Sequence, residues 1–304
     1  MKKIVVVTVN YNSQNYTRAL LKSLEKVEIP NISLEIIVVD NGSKETLETF
    51  EDKHSKVIRL DRNMGFSGGY NTGIKEALKE GAAYVLIINN DTIVNRDLIK
   101  NLLEVLEGNE KIGVTTPKIY FAKGHEYHEE KYKIEDLGKI LWYAGGYTDW
   151  YHVKSVHRGV DEVDHGQYNK TEQVEFASGC CMMIKREVLE KTGLFDERYF
   201  LYYEDADLIE RIKNAGYVIY YVPEATLAHF NASSTGGPGG KLHDYFLTRN
   251  QMLFGMKYAP VRSKLALIKQ SLRLLFSGRP YQKRAIRDFY TGKFGKGSYF
   301  DKTA

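Results

Sequence analysis

The chain has 304 residues, 43% of them apolar and 27% charged, with a formal net charge of +4. Such a length and apolar content point to a folded globular protein of one large or two modest domains, with material for a sizeable core. The only two cysteines, Cys180 and Cys181, are adjacent, which excludes a disulfide framework and fits a reducing compartment.

The amino terminus, "MKKIVVVTVNYNS", has two lysines and only a brief β-branched run. It is shorter than the apolar core of a secretory signal, and no stretch reaches the ~20 apolar residues of a membrane span. A cytoplasmic protein is expected, with contact at the inner face of the plasma membrane left open. The charge is unevenly placed: residues 241–304 hold 14 Lys and Arg against 3 Asp and Glu, a balance of +11, which leaves −7 for residues 1–240.

In chain order, "KIVVVTVN" reads as a buried strand. In "YTRALLKSLEKV" the residues Ala19, Leu20, Ser23, Leu24 and Val27 recur at helical spacing. "LEIIVVDNGS" is a second strand with turn chemistry at its end, "KETLETFED" a short helix, and "KVIRL" a third strand. "SGGYNTGIKEALKE" leads through glycines into a helix, and "AYVLII" is a fourth strand. This alternation predicts an α/β fold with a mostly parallel, doubly wound sheet. Residues 121–173, rich in His, Tyr and Lys, read as loop and short strand covering a site. "VEFASGCCMMIKREVLEKTG" reads as strand then helix, "YYEDADLIERIKNAG" as an amphipathic helix closed by Gly216, and "YVIYYVPEATLAHF" as a strand before the turn "SSTGGPGG". A catalytic domain over 1–240, with a nucleotide-binding half (1–100) and an acceptor half (101–240), and a basic helical extension over 241–304 are expected.

In doubly wound sheets ligands collect beyond the carboxyl ends of the strands. The polar residues closing the first four strands therefore become neighbours: Asn10, Tyr11 and Asn12; Asp40 to Ser43; Asn63 to Gly69; and Asn89 to Asp91. Asp91 reads as a helix cap or as a hard oxygen ligand for Mg²⁺ or Mn²⁺. Asp40 could accept from a pyrimidine imide or a ribose hydroxyl, and Gly65, Gly68, Gly69 and Gly73 allow close backbone approach. Glu204, Asp205 and Asp207 cluster at a helix start, where acids suit the dipole or supply a general base, already ionised at neutral pH if its pKa is near the reference ~3.9. His229, after a strand, could complete a metal shell that Asp91 alone fills thinly.

These pieces in this order resemble the family 2 glycosyltransferases of GT-A fold, in particular the bacterial rhamnosyltransferase-like and galactofuranosyltransferase-like members. The similarity runs from residue 4 to about 235 through "VVTVNYNS", "IIVVDNGS", "NMGFSGGYNTGIKEAL", "LIINNDTIV", "ASGCCMMIKREVLEKTGLFDERYFLYYEDADLIERIKNAGY" and "AHFNASST". The resemblance implies that Asn89-Asn90-Asp91 stands for the family's Asp-x-Asp segment, Asn89 departing from the two-acid form, with Asp91 the metal ligand and His229 a second one. It implies a base in the pair Glu204-Asp205, with Asp205 preferred. It further implies donor nucleotide contacts at Thr8, Asn10, Asn12, Asp40, Asn63, Gly65 and Asn90, and a small residue, Gly179, near the donor sugar. The reaction so implied is inverting transfer from a dTDP- or UDP-linked sugar to a hydroxyl of a glycan or lipid-linked glycan. Trp142, Tyr143 and Trp150, near glycines in "LWYAGGYTDWYH", are either core or an acceptor wall.

The basic carboxy-terminal helices are read either as packed on the domain with a solvated face or as resting on anionic lipid. No nucleic-acid module is present to read the basic charge otherwise. Two other functions are weighed. A sugar-phosphate nucleotidyltransferase needs a Gly-rich, basic loop after the first strand, where "VNYNSQNY" stands; a non-catalytic nucleotide-sugar-binding protein would bind without turnover.

Overall fold

The computed structural model describes residues 2–45, 55–231 and 240–301. The expected helix "KETLETFED" and the turn "SSTGGPGG" lie largely outside the described residues. Strands β1 (Lys2–Asn10), β2 (Ile32–Asp40) and β3 (Ser55–Arg59) alternate with α1 (Gln14–Leu24) and α2 (Gly65–Lys79), and β4 (Tyr84–Ile88) follows. All four strands are parallel, in the order β4-β1-β2-β3. Their β-branched runs are buried on both faces, as a parallel sheet requires: Ile4 to Val7 and Val85 to Ile88 are fully enclosed.

The second half of the sheet departs from a simple parallel repeat. After β5 (Thr92–Val94) come α3 (Leu98–Glu107) and β6 (Ile112–Phe121), two elements to which the sequence reading assigns nothing. Residues 121–173 contain β7 (Leu141–Tyr143), the hairpin of β8 (Gly146–Asp149) with β9 (Lys154–His157), and β10 (Glu172–Val174), among loops and two 3-10 turns. "CCMMIK" forms β11 (Cys181–Lys185), inserted antiparallel between β4 and β6 and followed by α4 (Arg186–Thr192). Both cysteines are buried free thiols. Helix α5 (Glu204–Asn214) leads to β12 (Val218–His229), which runs parallel to β6.

The register of β12 on β6 slips between Val222 and Thr226, across Pro223. A proline cannot donate to a ladder and is tolerated at such a bulge, which bends the strand. Beyond it, β12 pairs with both β6 and β5, and His229 comes opposite Thr92. Helices α6 (Lys241–Tyr258), α7 (Val261–Ser277) and α8 (Pro280–Tyr290) complete the chain, and Met252, Leu253 and Phe254 of α6 bury into the same core as the sheet. No helix among the described residues is long and apolar enough to cross a membrane.

Gly73 of α2 lets the helix pack closely on the sheet. A Cβ on Gly73 would stand 2.4 Å from Val7 Cγ1 and 3.1 Å from Val39 Cγ2, so its absence lets the helix lie directly on β1 and β2. Gly73→Ala is therefore expected to destabilise the fold by about 1–3 kcal/mol through overpacking, measured by denaturant unfolding; an unchanged midpoint would contradict this packing.

Candidate active site

The carboxyl ends of β1, β2 and β4 do meet, and a continuous polar network joins them. Register pairs Asn10 with Asp40 and Asp40 with Arg59. The Asn10 amide donates to Asp40 Oδ1 (3.4 Å) and Ser43 Oγ (3.1 Å), while its carbonyl accepts from Thr17 Oγ1 (2.9 Å). Asn90 donates to Ser13 Oγ (2.7 Å) and Thr17 Oγ1 (2.8 Å), tying β4 to the first loop and helix. Beside this network opens a cavity of about 330 Å³ lined by Asn10, Asn12, Ser13, Gln14, Ser43, Lys44 and Glu45. Gln14 Oε1 is buried there without a hydrogen-bond partner among the described residues. A larger depression of about 460 Å³, lined by Lys2, Tyr84 and Glu107 among others, lies at the amino ends of β1 and β4, the wrong edge for a ligand in this fold.

The nucleotide residues read from sequence divide by depth. Asn12 is exposed at the cavity, held by Ser43 Oγ to its N–H and by its own carbonyl accepting from Lys44 N–H. Asn90 is half-buried. Asp40, expected to touch the donor, is instead enclosed beneath the wall, where Arg59 and Asn10 donate to it and the Ser43 N–H reaches Oδ1 at 3.3 Å. Thr8 is likewise fully enclosed, with its Oγ1 buried without a partner among the described residues. Asn63 accepts from the Gly65 N–H and from Asn41, which also binds the Met64 N–H and the Gly65 carbonyl. Gly65, expected to admit a ligand, has φ +76°, and a Cβ there would meet the Phe200 carbonyl at 2.3 Å. The backbone that approaches it is the protein's own. Asn41 and Ser43 stand in the sequence only as part of a polar strand end and Gln14 carries no signal at all, because turn residues of this kind are ordinary in loops.

Asp91 and His229 come together. His229 Nε2 lies 3.1 Å from Asp91 Oδ1, and the Phe230 N–H donates to the Asp91 carbonyl (2.9 Å). His229 is 5% exposed, and its Nδ1 is buried without a partner among the described residues. Trp142 packs edge-on against the His229 ring at 4.8 Å and against His157 at 4.5 Å. Burial, opposed by a backbone hydrogen bond at Trp142, pushes His157 down to about 4, so it stands neutral behind the pair. One carboxylate and one imidazole form a donor set that suits a divalent cation completed by phosphate and water. No cluster of three metal-ligating side chains occurs among the described residues.

The three acids at the start of α5 take different roles. Asp207 is fully buried and structural, binding Arg211 (2.8 Å), Lys257 (2.6 Å) and the Tyr258 hydroxyl (2.9 Å). Glu204 is 5% exposed with Oε2 unpartnered among the described residues, and burial, then the neighbouring Asp205 charge, holds its carboxyl well above the usual range. Burial therefore favours its uncharged form, which leaves Asp205 the better placed of the two acids to act as a base. Asp205 is half-buried and accepts from the Gly179 N–H (3.0 Å) and the Ala206 N–H (2.8 Å). Burial raises its carboxyl, opposed by those two backbone donors, so an unperturbed aspartate is not what the fold provides. Gly179 links it to the metal-side residues: the next residue, Cys180, accepts from the Asn89 N–H (2.8 Å). A Cβ on Gly179 would meet Phe66 at 3.0 Å and Asp205 Cβ at 3.4 Å.

Among the aromatics, Trp142 borders the site. Tyr143, its neighbour on β7, does not: it is fully buried with its hydroxyl donating to the Phe176 carbonyl (2.6 Å), leaving no surface for an acceptor. Trp150 stacks on Phe254 at 5.6 Å.

Asp205 is presented by a strained loop. Phe200, Tyr202 and Tyr203 all have positive φ (63°, 68° and 72°), each costing about 1–2 kcal/mol for a residue with a Cβ. Two buried residues of α6 hold it. Asn250 donates to the carbonyls of Tyr199 (2.8 Å), Leu201 (2.7 Å) and Tyr202 (2.8 Å), and Arg249 to those of Arg198 (3.1 Å) and Tyr199 (3.0 Å). Asn250→Ala removes this donor from the Leu201 and Tyr202 carbonyls and is expected to cost about 1–3 kcal/mol. Hydrogen exchange at residues 203–206 should then accelerate; protection equal to the wild type would show the loop to be held otherwise.

The sequence profile described as Glycosyl transferase family 2 matches residues 5–193. The N-acetylglucosaminyl-diphospho-decaprenol L-rhamnosyltransferase of Mycobacterium tuberculosis is 26% identical over 251 residues, 76% of this chain and 77% of that protein. The dTDP-rhamnosyl transferase RfbF of Shigella flexneri is 26% identical over 74% of this chain and 68% of its own. The low-salt glycan biosynthesis hexosyltransferase Agl10 of Haloferax volcanii is also 26% identical, over 68% of this chain, which spans 61% of that relative's length. Among solved structures, the mannosyltransferase PcManGT of Pyrobaculum calidifontis, in complex with GDP-Man and Mn²⁺, superposes with TM-score 0.55 at 15% identity, over 99% of this chain and 76% of that one. GalNAc-T7 with UDP, GalNAc and Mn²⁺ gives 0.60 at 16%, over 96% and 58%. The fold is thus GT-A, the nucleotidyltransferase reading is set aside, and the chain belongs to glycosyltransferase family 2.

Proposed function

We propose that the protein moves a sugar from a nucleotide-diphosphate donor, dTDP-rhamnose or a UDP-sugar, to a hydroxyl of a glycan acceptor with inversion at the anomeric carbon. What supports this most is the meeting of Asp91 and His229, with Asp205 tied through Gly179, Cys180 and Asn89 to the strand end that carries Asp91. The nucleoside lies in the cavity by Asn12, Ser13, Gln14 and Ser43, on a floor kept rigid by Asp40 and Asn10. Asp91 and His229 would hold Mg²⁺ or Mn²⁺, and the ion when bound would supply positive charge to offset that of the departing diphosphate.

Asp205 takes the acceptor proton. As that hydroxyl loses it to the carboxylate, its oxygen attacks the anomeric carbon from the side opposite the diphosphate, the glycosidic bond forms and the donor bond breaks. The Gly179 and Ala206 N–H groups fix the carboxylate in place, so the proton is received at a set position. Trp142, against His229, walls the site. The names of the rhamnosyltransferase relatives favour rhamnose as the sugar and, through the decaprenol-linked relative, a lipid-linked acceptor at the inner face of the membrane.

A donor panel scored by nucleoside diphosphate release, with and without Mn²⁺ or Mg²⁺, tests the reaction. Asp205→Asn should lower turnover by about 10² to 10⁴ while donor binding persists; full activity in that variant would refute Asp205 as the base. A base works only when deprotonated, and burial raises Asp205. The rate should therefore fall as pH drops through a value above the ~3.9 of a free aspartate, an acid limb absent from the donor-binding profile. Asp91→Asn should abolish Mn²⁺ binding in the presence of UDP, followed by electron paramagnetic resonance; retained binding would place the metal elsewhere.

A further inference from the structure

Helix α7 has two opposite faces, and the fold covers only one. Ser263, Leu267 and Ser271 are buried, and Leu267 packs so closely on α6 that a Cβ on Gly255 would fall 2.2 Å from its Cδ1. On the other side Val261, Leu265, Leu272 and Phe276 are 73%, 63%, 51% and 83% exposed. With 3.6 residues per turn these four lie within about 60° of one another, a single apolar stripe running the length of the helix. The helix contains no acidic residue. Its cations, Arg262, Lys264, Lys269 and Arg273, fall to either side of the stripe.

The amino end of the stripe reaches toward the catalytic loop. Arg262 lies over the ring of Tyr151, 5.8 Å away, and Tyr151 is itself 69% exposed. Two residues on, the Val153 carbonyl accepts from the Tyr203 hydroxyl (2.8 Å), and Tyr203 directly precedes Glu204 and Asp205.

We propose that this face, α7 with Tyr151, lies on an anionic bilayer surface, the apolar side chains entering the interface and the flanking cations meeting lipid phosphates. Charge decides the occupant: the stripe is bordered by cations only, in a region whose balance is +11 (14 basic against 3 acidic residues). An apolar stripe flanked by Lys and Arg is the pattern of a helix lying in the interface, and each cation adds attraction to anionic lipid. With no helix among the described residues able to cross a membrane, the contact lies along the surface. It would set the loop bearing Asp205 beside the bilayer, where a lipid-linked hydroxyl is presented. That use rests on the proposed acceptor, whereas lipid binding itself does not.

The test is co-sedimentation of the full chain with phosphatidylcholine vesicles, with and without phosphatidylglycerol, at low and high salt. Binding is expected only to the anionic vesicles and should weaken in high salt. Leu272→Ser with Phe276→Ser should reduce it more than about tenfold, and Lys269→Gln with Arg273→Gln about tenfold or more. The thermal midpoint of each variant should stay at the wild-type value, since these side chains face outward. Equal binding to neutral vesicles, no binding, or binding unchanged in both variants overturns the proposal. So does a dimer in solution that the apolar pair of substitutions dissociates, because the stripe would then belong to a second copy. Nucleoside diphosphate release from a soluble donor, followed in the same samples, reports the glycosyl-transfer reading separately: vesicle binding without turnover counts against that reading alone.

Discussion

Everything at the site depends on the end of β12 running alongside β5. That pairing brings His229, 138 residues later in the chain, to 3.1 Å from Asp91. The slip after Val222 accompanies it: beyond Pro223 the strand pairs with both β6 and β5. The contact with Asp91 serves His229 Nε2 but leaves its Nδ1 buried without a partner among the described residues, a cost for a purely structural pair. Placed where a diphosphate and its cation are proposed to sit, the pair has a chemical reason.

The second requirement is that Asp205 stay aimed at the same place. It begins a helix whose preceding loop has three consecutive-region residues in left-handed conformation, a geometry the chain would not adopt unaided. Asn250 and Arg249 offset that strain with hydrogen bonds to the loop carbonyls, and Asp207 locks α5 to Lys257 and Tyr258 of α6. The carboxy-terminal helices are thus part of how the loop before Asp205 is shaped, with α6 holding it from within and the outer stripe of α7 left facing solvent.

Much of this could be read from the chain because the parallel strands write themselves plainly: β-branched runs end abruptly at Asn10, Asp40 and Asn89, and strand ends in such a fold share one edge. Direction was not legible, since "CCMMIK" reads equally well as a parallel or an antiparallel strand. Nor was depth. Trp142 and Tyr143 look alike in sequence, yet neighbours on a strand point to opposite faces, and only Trp142 meets the site. Asp40 and Thr8 sit at the right strand ends, yet both side chains are enclosed there, which their position in the sequence does not reveal. Arg249 and Asn250 gave no signal, because in a basic helix a buried cation looks like a solvated one. The raised Asp205 carboxyl is likewise a product of burial, which no local pattern of acids reveals.

The most direct measurement is a crystal structure of the protein with Mn²⁺ and an intact, unreactive analogue of the donor. The expected result is anomalous density within ligating distance, about 2–2.3 Å, of Asp91 and His229, with the anomeric carbon facing Asp205 and the nucleoside beside Asn12 and Ser43. Metal bound away from Asp91, or an anomeric carbon on the far side of the site from Asp205, would contradict it.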